Sequence, residues 1–220
     1  MADEREKSAD ESARVSERCH VHRVSHGSAI VEGPAPAALL ASLAMDPGLD
    51  RFRQPGEQQK ALIEIAGFEE GSIYIAHKDG VLVGYVTFHP PDELERWGQV
   101  KLPGLLELGA IEVAPEWRRA GIGYALLRLA FAGDHMEDYI VIATEYCWHW
   151  DLKGTGLSVW EYQKVLQKVM GSVGLEPRAT DDPEITSHAA NMLMVRIGSR
   201  VPFETVTSFE AMRYQNRWVF

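Results

Sequence analysis

A chain of 220 residues with 45% apolar side chains can bury one core of ordinary domain size, so a single compact unit is expected. Its 32 acids against 22 bases give a formal net charge of -10, a field that repels nucleic acid and anionic membrane and leaves any anionic ligand to a local feature. Cys19 and Cys147 are too few for a disulfide framework and lack metal-ligand spacing, and no apolar stretch near the start has the length of a signal or an anchor, so a cytoplasmic protein is expected.

Residues 1–18, "MADEREKSADESARVSER", mix charges of both signs and offer little to bury, which reads as a disordered tail before a domain spanning 19–220. "VHRVSHGSAIVEG" reads as one or two short strands, and "PAPAALLASLA" as a helix opened by prolines. In "GEQQKALIEIAGF", Ala61, Leu62, Ile65 and Ala66 recur at helical spacing and Gly67 supplies the stop. "SIYIAHKDGVLVGYVTF" is a hairpin, with Asp79-Gly80 suited to the positive dihedrals of a type I′ turn. "LLELGAIEVAP" starts another strand, in which Gly109 marks a bulge or a close backbone approach. A helix is predicted over 121–132, and "DYIVIAT" reads as a strand covered on both faces. An aromatic stretch follows, then an amphipathic helix over 159–170, a turn-rich "ATDDPE", a helix over 187–196, and an end without clear pattern.

The unit that carries chemistry is "ELGAIEVAPEWRRAGIGYALLRLAF", a strand, a sharp turn and a helix. Pro115 ends the strand, and the free N–H groups at the helix start, backed by the helix dipole, form a cradle for a diphosphate. Gly121 and Gly123 let phosphate oxygens approach, while Arg118 and Arg119 add local positive charge. No GK[ST] follows and the third glycine of a dinucleotide fingerprint is missing. Alone, the pattern reads equally well as a plain helix N-terminus.

The stretch 145–160, "EYCWHWDLKGTGLSVW", holds three of the six tryptophans. Glu145, Cys147, His149 and Asp151 would share one face of an extended strand, but side chains standing parallel on one strand cannot enclose an ion, so no metal is expected. A Cys147-His149 nucleophile lacks an oxyanion-hole loop, and Gly154 and Gly156 read as a turn. At least one of Trp148, Trp150 and Trp160 reads as core, the rest as a rigid wall or docking surface.

The strand-loop-helix, downstream of a hairpin and upstream of a buried strand, resembles the GCN5-related N-acetyltransferases (GNAT), whose signature [QR]-x-x-G-x-[GA] is matched by Arg118, Gly121 and Gly123. The resemblance implies an α/β GNAT fold, a mixed, mostly antiparallel central sheet flanked by helices, with acetyl-CoA as co-substrate. It places the pyrophosphate on Arg118, Arg119, Ala120, Gly121, Ile122 and Gly123, and the pantetheine arm along the backbone of Ile111, Glu112 and Val113. It also implies a carboxylate base, direct or through water. Glu107, eleven residues before Arg118, is first choice. Glu112 is the alternative, on the opposite strand face if pairing is regular and on the same face if Gly109 is a bulge. The family's proton-donating tyrosine aligns, through "SHAANMLMVRIG", with Met194, which cannot donate, so the acid is absent, is water, or comes from elsewhere, with Tyr146 and Tyr162 as the candidate sources.

"LIEIAGF", "GYVTF", "LERW", "LELGAIEV", "TEYCWHWDLKGTGL", "ATDDPEI" and "RYQNRWVF" further resemble the acetoin utilization (AcuA) family within that superfamily. That resemblance implies a bacterial protein lysine acetyltransferase whose substrate is acetyl-CoA synthetase. It divides the domain into a core over 19–146, a family-specific aromatic insertion over 147–180 and a C-terminal helix and end over 181–220. Trp148, Trp150 and Asp151 then fall on the acceptor side. Acetylation of a small amine is one alternative; a non-catalytic partner responsive to acetyl-CoA, suggested by Met194, is the other.

Overall fold

The computed structural model describes residues 19–24 and 27–215; the predicted tail lies outside them. The described residues form a nine-stranded sheet. Its order is β1 (Cys19–Val24), β2 (Gly27–Glu32), β4 (Ser72–Lys78), β5 (Val81–His89), β6 (Leu105–Val113), β7 (Ile140–Glu145), β9 (Met192–Ile197) and β8 (Glu176–Arg178), with a two-residue β3 (Ala44–Met45) beside β5. Pairing is antiparallel except for β6 with β7 and β3 with β5. The β4–β5 hairpin turns through Asp79 (φ 49°) and Gly80 (φ 80°), the two positive dihedrals its sequence called for.

Eight α-helices, with three short 3-10 segments, complete the described chain: α1 (Ala37–Ser42), α2 (Pro55–Ile65), α3 (Arg96–Gln99), α4 (Ile122–Ala130), α5 (Leu152–Thr155), α6 (Val159–Gly171), α7 (Pro183–Thr186) and α8 (Phe203–Met212). α4 buries Ile122, Leu126, Leu127 and Leu129 against one sheet face, over Val86, Phe88, Leu106, Leu108 and Val141. α6 joins it there through Tyr162, Leu166, Val169 and Met170. Its start is set by a capping box, with Ser158 Oγ accepting from Glu161 N–H and Glu161 Oε2 accepting from Ser158 N–H.

The opposite face is divided. Leu40 of α1 and Leu62 of α2 cover Ile73, Ile75, Leu82 and Tyr85, while Trp97 of α3 and Phe209 of α8 cover Leu105, Ile140, Ile142, Leu193 and Val195. Between these two clusters, on β6, stands Glu107. Among the described residues no helix is long and apolar enough to cross a membrane.

Two expectations fail near the C-terminus. Residues 192–197 are strand β9, not part of a helix over 187–196: Met192 and Met194 pack with α4 and α6, Leu193 and Val195 with α8. A short apolar run fits either state, and here the open edge of β7 decides for strand. Met194 is therefore a buried strand residue, and its alignment with a helical tyrosine has no structural basis. The end that lacked pattern contains α8, which buries only Phe209 and Met212, too few positions to show a periodic stripe.

Candidate active site

β6 and β7 form a fork. They are bonded only where Leu105, Leu106 and Glu107 meet Ile140, Val141 and Ile142. Beyond that β6 stays with β5 and β7 with β9, so residues 108–113 have no strand partner on the β7 side among the described residues. The β5–β6 register passes from Phe88 opposite Leu108 to Thr87 opposite Ala110, leaving Gly109 as the extra residue of a bulge. A Cβ on Gly109 would come within 2.2 Å of His89 Nε2, so glycine makes room for that imidazole.

The bulge settles how the two glutamates face. Leu106, Leu108, Ile111 and Val113 pack toward α4 and α6, whereas Leu105, Ala110 and Ala114 pack on the other side. Glu107 and Glu112 therefore share the second face, as an inserted residue requires and regular pairing would forbid. Both are buried, at 7% and 5% exposure, but they are engaged differently. Glu112 uses both oxygens: Oε1 accepts from Arg51 N–H at 2.9 Å and Oε2 from Tyr85 O–H at 2.6 Å. Glu107 accepts from Thr144 O–H at 2.9 Å on Oε1, and among the described residues nothing bonds its Oε2. Burial pushes the Glu107 carboxyl up; the Thr144 bond opposes this and the Asp92 charge reinforces it.

On the α4 side the β6–α4 loop is braced from several directions. Arg118 Nε donates to Val113 O at 3.1 Å and its Nη1 to Asp151 Oδ2 at 2.6 Å, so this guanidinium is committed to the protein. Arg119 is exposed, at φ 62°, with no acceptor among the described residues. His22 Nε2 donates to Ala120 O at 2.8 Å, a tie from β1 for which the sequence carried no signal. Gly121 caps α4 in the left-handed region at φ 79°, where a side chain is disfavoured. Ile122 sends its side chain into the core. The first bond of the helix is Ala125 N–H to Gly121 O, so the N–H groups of Ile122, Gly123 and Tyr124 have no acceptor among the described residues. A Cβ on Gly123 would meet only Ile111 at 3.7 Å and Val169 at 3.9 Å, ordinary contacts, so protein packing does not require this glycine.

The aromatic stretch does not continue β7. The strand ends at Glu145 and Cys147–His149 is a 3-10 turn, which destroys the alternation on which a shared face depended. Among the described residues no group of three or more His, Cys, Asp or Glu is placed to hold a metal ion. Trp148, at 55% exposure, stacks on half-buried Tyr146 with centroids 4.8 Å apart, and His149 meets both edge-on and reaches Phe52. Burial raises the Tyr146 hydroxyl above the usual phenol range, reinforced by Glu184.

Trp150, expected on the acceptor side, is core instead: at 8% exposure it stacks on Tyr162 and donates from Nε1 to Glu145 Oε2 at 3.0 Å. The turn rotates it away from Trp148. Asp151 caps α5 through Gly154 N–H and faces Arg118 and Arg51 rather than open solvent. Burial acts to raise this carboxyl, but the Arg118 and Gly154 bonds and the Arg51 charge hold it below the usual range. Gly154 lies in the single turn of α5 and Gly156, at φ 69°, ends it. Trp150→Ala is expected to destabilise the fold by about 3–5 kcal/mol in urea unfolding, whereas Trp148→Ala should stay within about 0.5 kcal/mol. A near-neutral Trp150 variant would return that ring to the surface.

Glu145 entered the sequence reading only as a metal ligand. Partly buried, its carboxyl is pushed up to about 7, by burial first, against the Trp150 bond and with help from the Glu107 charge. The folded state thus holds this proton more tightly than the unfolded chain does. The stability it contributes is present below the ordinary carboxylate range and is lost as pH rises toward 7. The Tm of the protein relative to Glu145→Gln is expected to fall across that window; a flat difference would uncouple this ionisation from folding.

The family model described as "Acetyltransferase (GNAT) family" matches residues 42–147, which include the fork, both glutamates and the β6–α4 loop. "Acetoin utilization protein AcuA" of Bacillus subtilis (strain 168) is 46% identical over 198 residues, covering 90% of this chain and 94% of the relative. The chain belongs to the AcuA family of GNAT acetyltransferases. The Bacillus licheniformis AcuA is 48% identical over 194 residues, covering 88% and 92% of the two chains. The crystal structure of an acetoin utilization protein from Exiguobacterium sibiricum superposes with a TM-score of 0.89 at 49% identity, covering 90% of this chain and 94% of that one. As an AcuA-family GNAT protein the chain is an acyltransferase, of a superfamily that uses acetyl-CoA.

Proposed function

We propose that this chain transfers the acetyl group of acetyl-CoA to a lysine side chain of a protein, acetyl-CoA synthetase, in the cytoplasm, and so down-regulates that enzyme in acetoin and acetate metabolism. The observation that carries the reading is a buried carboxylate, one of whose oxygens has no bond among the described residues, at the point where β6 and β7 part, on the sheet face opposite α4.

The residues present fit acetyl-CoA. The N–H groups of Ile122, Gly123 and Tyr124 and the exposed Arg119 would hold the diphosphate, and the absence of a packing reason for Gly123 supports a ligand at that backbone. With Arg118 turned to Asp151, its part is to hold the loop in shape. The free edge of β6 at Ile111, Glu112 and Val113 would take the pantetheine amides. Bound there, the co-substrate supplies an activated acetyl thioester.

Glu107 is the base: burial raises its affinity for a proton, which suits it to take one from a lysine ammonium through Oε2. Glu112, with both oxygens engaged, has a structural part. Tyr146, kept protonated by burial, would be the proton donor. The exposed Trp148 with His149 and Phe52 supports an acceptor that arrives as part of a protein surface. The non-catalytic reading rested on Met194, and β9 removes that support.

Incubation with acetyl-CoA and acetyl-CoA synthetase, followed by mass spectrometry of the acceptor, tests the reading. Acetylated synthetase lysine with loss of synthetase activity is expected. Turnover confined to free amines, or a tight complex without modification, would reject it.

A further inference from the structure

The base at the fork has a partner that the sequence did not advertise. β7 continues past its last pair with β6, Glu107 opposite Ile142, and two residues further on Thr144 reaches back across the opening to Glu107 Oε1. Its backbone is fixed by pairing with Leu193 of β9, and a β-branched side chain has few χ1 choices, so the hydroxyl is held by a rigid element. The other charged or titratable groups around Glu107 and the Thr144 hydroxyl are Asp92 and Glu95 from the β5–α3 connection, Glu145 from β7, His89 of β5 and the phenol of Tyr146, which shares a hydrogen bond with Thr144. Three of these are carboxyls that repel an ionised Glu107, and His89 Nδ1 is engaged with Pro90 O. Among the described residues Thr144 is the sole side-chain donor to Glu107.

We propose that Thr144 is a positioning residue for the base: its hydroxyl holds Oε1 of Glu107 and leaves Oε2 for the acceptor amine. The inference rests on the reading of Glu107 as base. In the transfer of the ammonium proton one N–H bond breaks and one Oε2–H bond forms, while Thr144 keeps its own proton throughout. Oε1 accepts from Thr144 before and after, but the bond is stronger to the carboxylate, so Thr144 favours the ionised, proton-accepting form against burial and three neighbouring acids.

The test is carbon-13 NMR titration of glutamate-labelled protein, in which the Glu107 carboxyl is identified by its loss in Glu107→Gln. Alongside it, kcat/KM is measured against pH with acetyl-CoA and acetyl-CoA synthetase. In Thr144→Val the Glu107 midpoint is expected to rise by about one pH unit, with turnover at neutral pH reduced about tenfold and the deficit shrinking as pH increases. Thr144→Ser should restore both; because the Tyr146 phenol shares a hydrogen bond with the Thr144 hydroxyl, Tyr146→Phe is the control, and a midpoint moved as far there as in Thr144→Val would assign the effect to the phenol and overturn the proposal. An unmoved midpoint in Thr144→Val overturns the proposal while leaving Glu107 as base. Full activity in Glu107→Gln overturns both, whatever the titration shows. If Thr144→Val fails to give a native melting transition, the serine and alanine variants carry the comparison, and equal midpoints in those two count against the proposal.

Discussion

Gly121→Asp is expected to abolish acetyl-CoA binding, weakening Kd by at least about 100-fold in titration calorimetry, a difference of roughly 2.7 kcal/mol. Two effects act together. The substitution places a carboxylate at the N-terminus of α4, where the free N–H groups of Ile122, Gly123 and Tyr124 would otherwise receive the diphosphate. The new side chain can satisfy those donors itself and then repels a second anion. It must also occupy φ 79°, at a cost of about 1–2 kcal/mol for a residue with a Cβ. Since an aspartate is a good helix cap, the fold should survive, with a Tm lowered by only a few degrees. Gly121→Ala carries the backbone strain without the charge and should lose far less affinity. Binding within about threefold of the parent in the aspartate variant would move the diphosphate away from this helix.

Glu107→Gln is expected to show the opposite split: kcat lowered about 10²- to 10⁴-fold, the usual range for a general base, with acetyl-CoA affinity within about twofold. Glutamine fills the same volume, and its amide oxygen can still accept from Thr144, so the site should keep its shape. What it cannot do is take a proton. Removing a buried carboxylate that has only one described donor should leave the protein no less stable, in contrast to the glutamine variant of Glu112, which would weaken the bonds from Tyr85 and Arg51. Unaltered turnover in Glu107→Gln at neutral pH would remove Glu107 from the mechanism. An inactive Glu112→Gln with a normal melting transition would put Glu112 in its place.

Much of the frame was legible because it is encoded locally. The Asp79-Gly80 turn, the α4 stripe, the Gly67 stop and the strand ended by Pro115 each depend on residues within a few positions of one another. The choice between Glu107 and Glu112 was open because it turned on one question, whether Gly109 is an extra residue, and that is answered by pairing with β5 rather than by the strand itself. The misreadings share a cause. "MLMV" is helix or strand according to whether an unpaired strand lies beside it, and Trp150 is wall or core according to where a 3-10 turn points it. Arg118 illustrates the same point: its sequence position matches a phosphate-binding signature, yet its guanidinium is taken by Asp151, thirty-three residues later.

By itself, then, the amino-acid sequence determined the family, the order of the longer strands and helices through α4 but not the short β3 and α3, and the loop whose backbone amides have no acceptor among the described residues, since glycines, capping residues and hydrophobic period act over a turn or two of chain. Only the tertiary structure decided which carboxylate keeps a free oxygen, which tryptophan is buried, and that Thr144 stands over the fork. These are contacts between segments tens of residues apart, and they follow from how β6 and β7 separate, a property of the assembled sheet that no single strand carries.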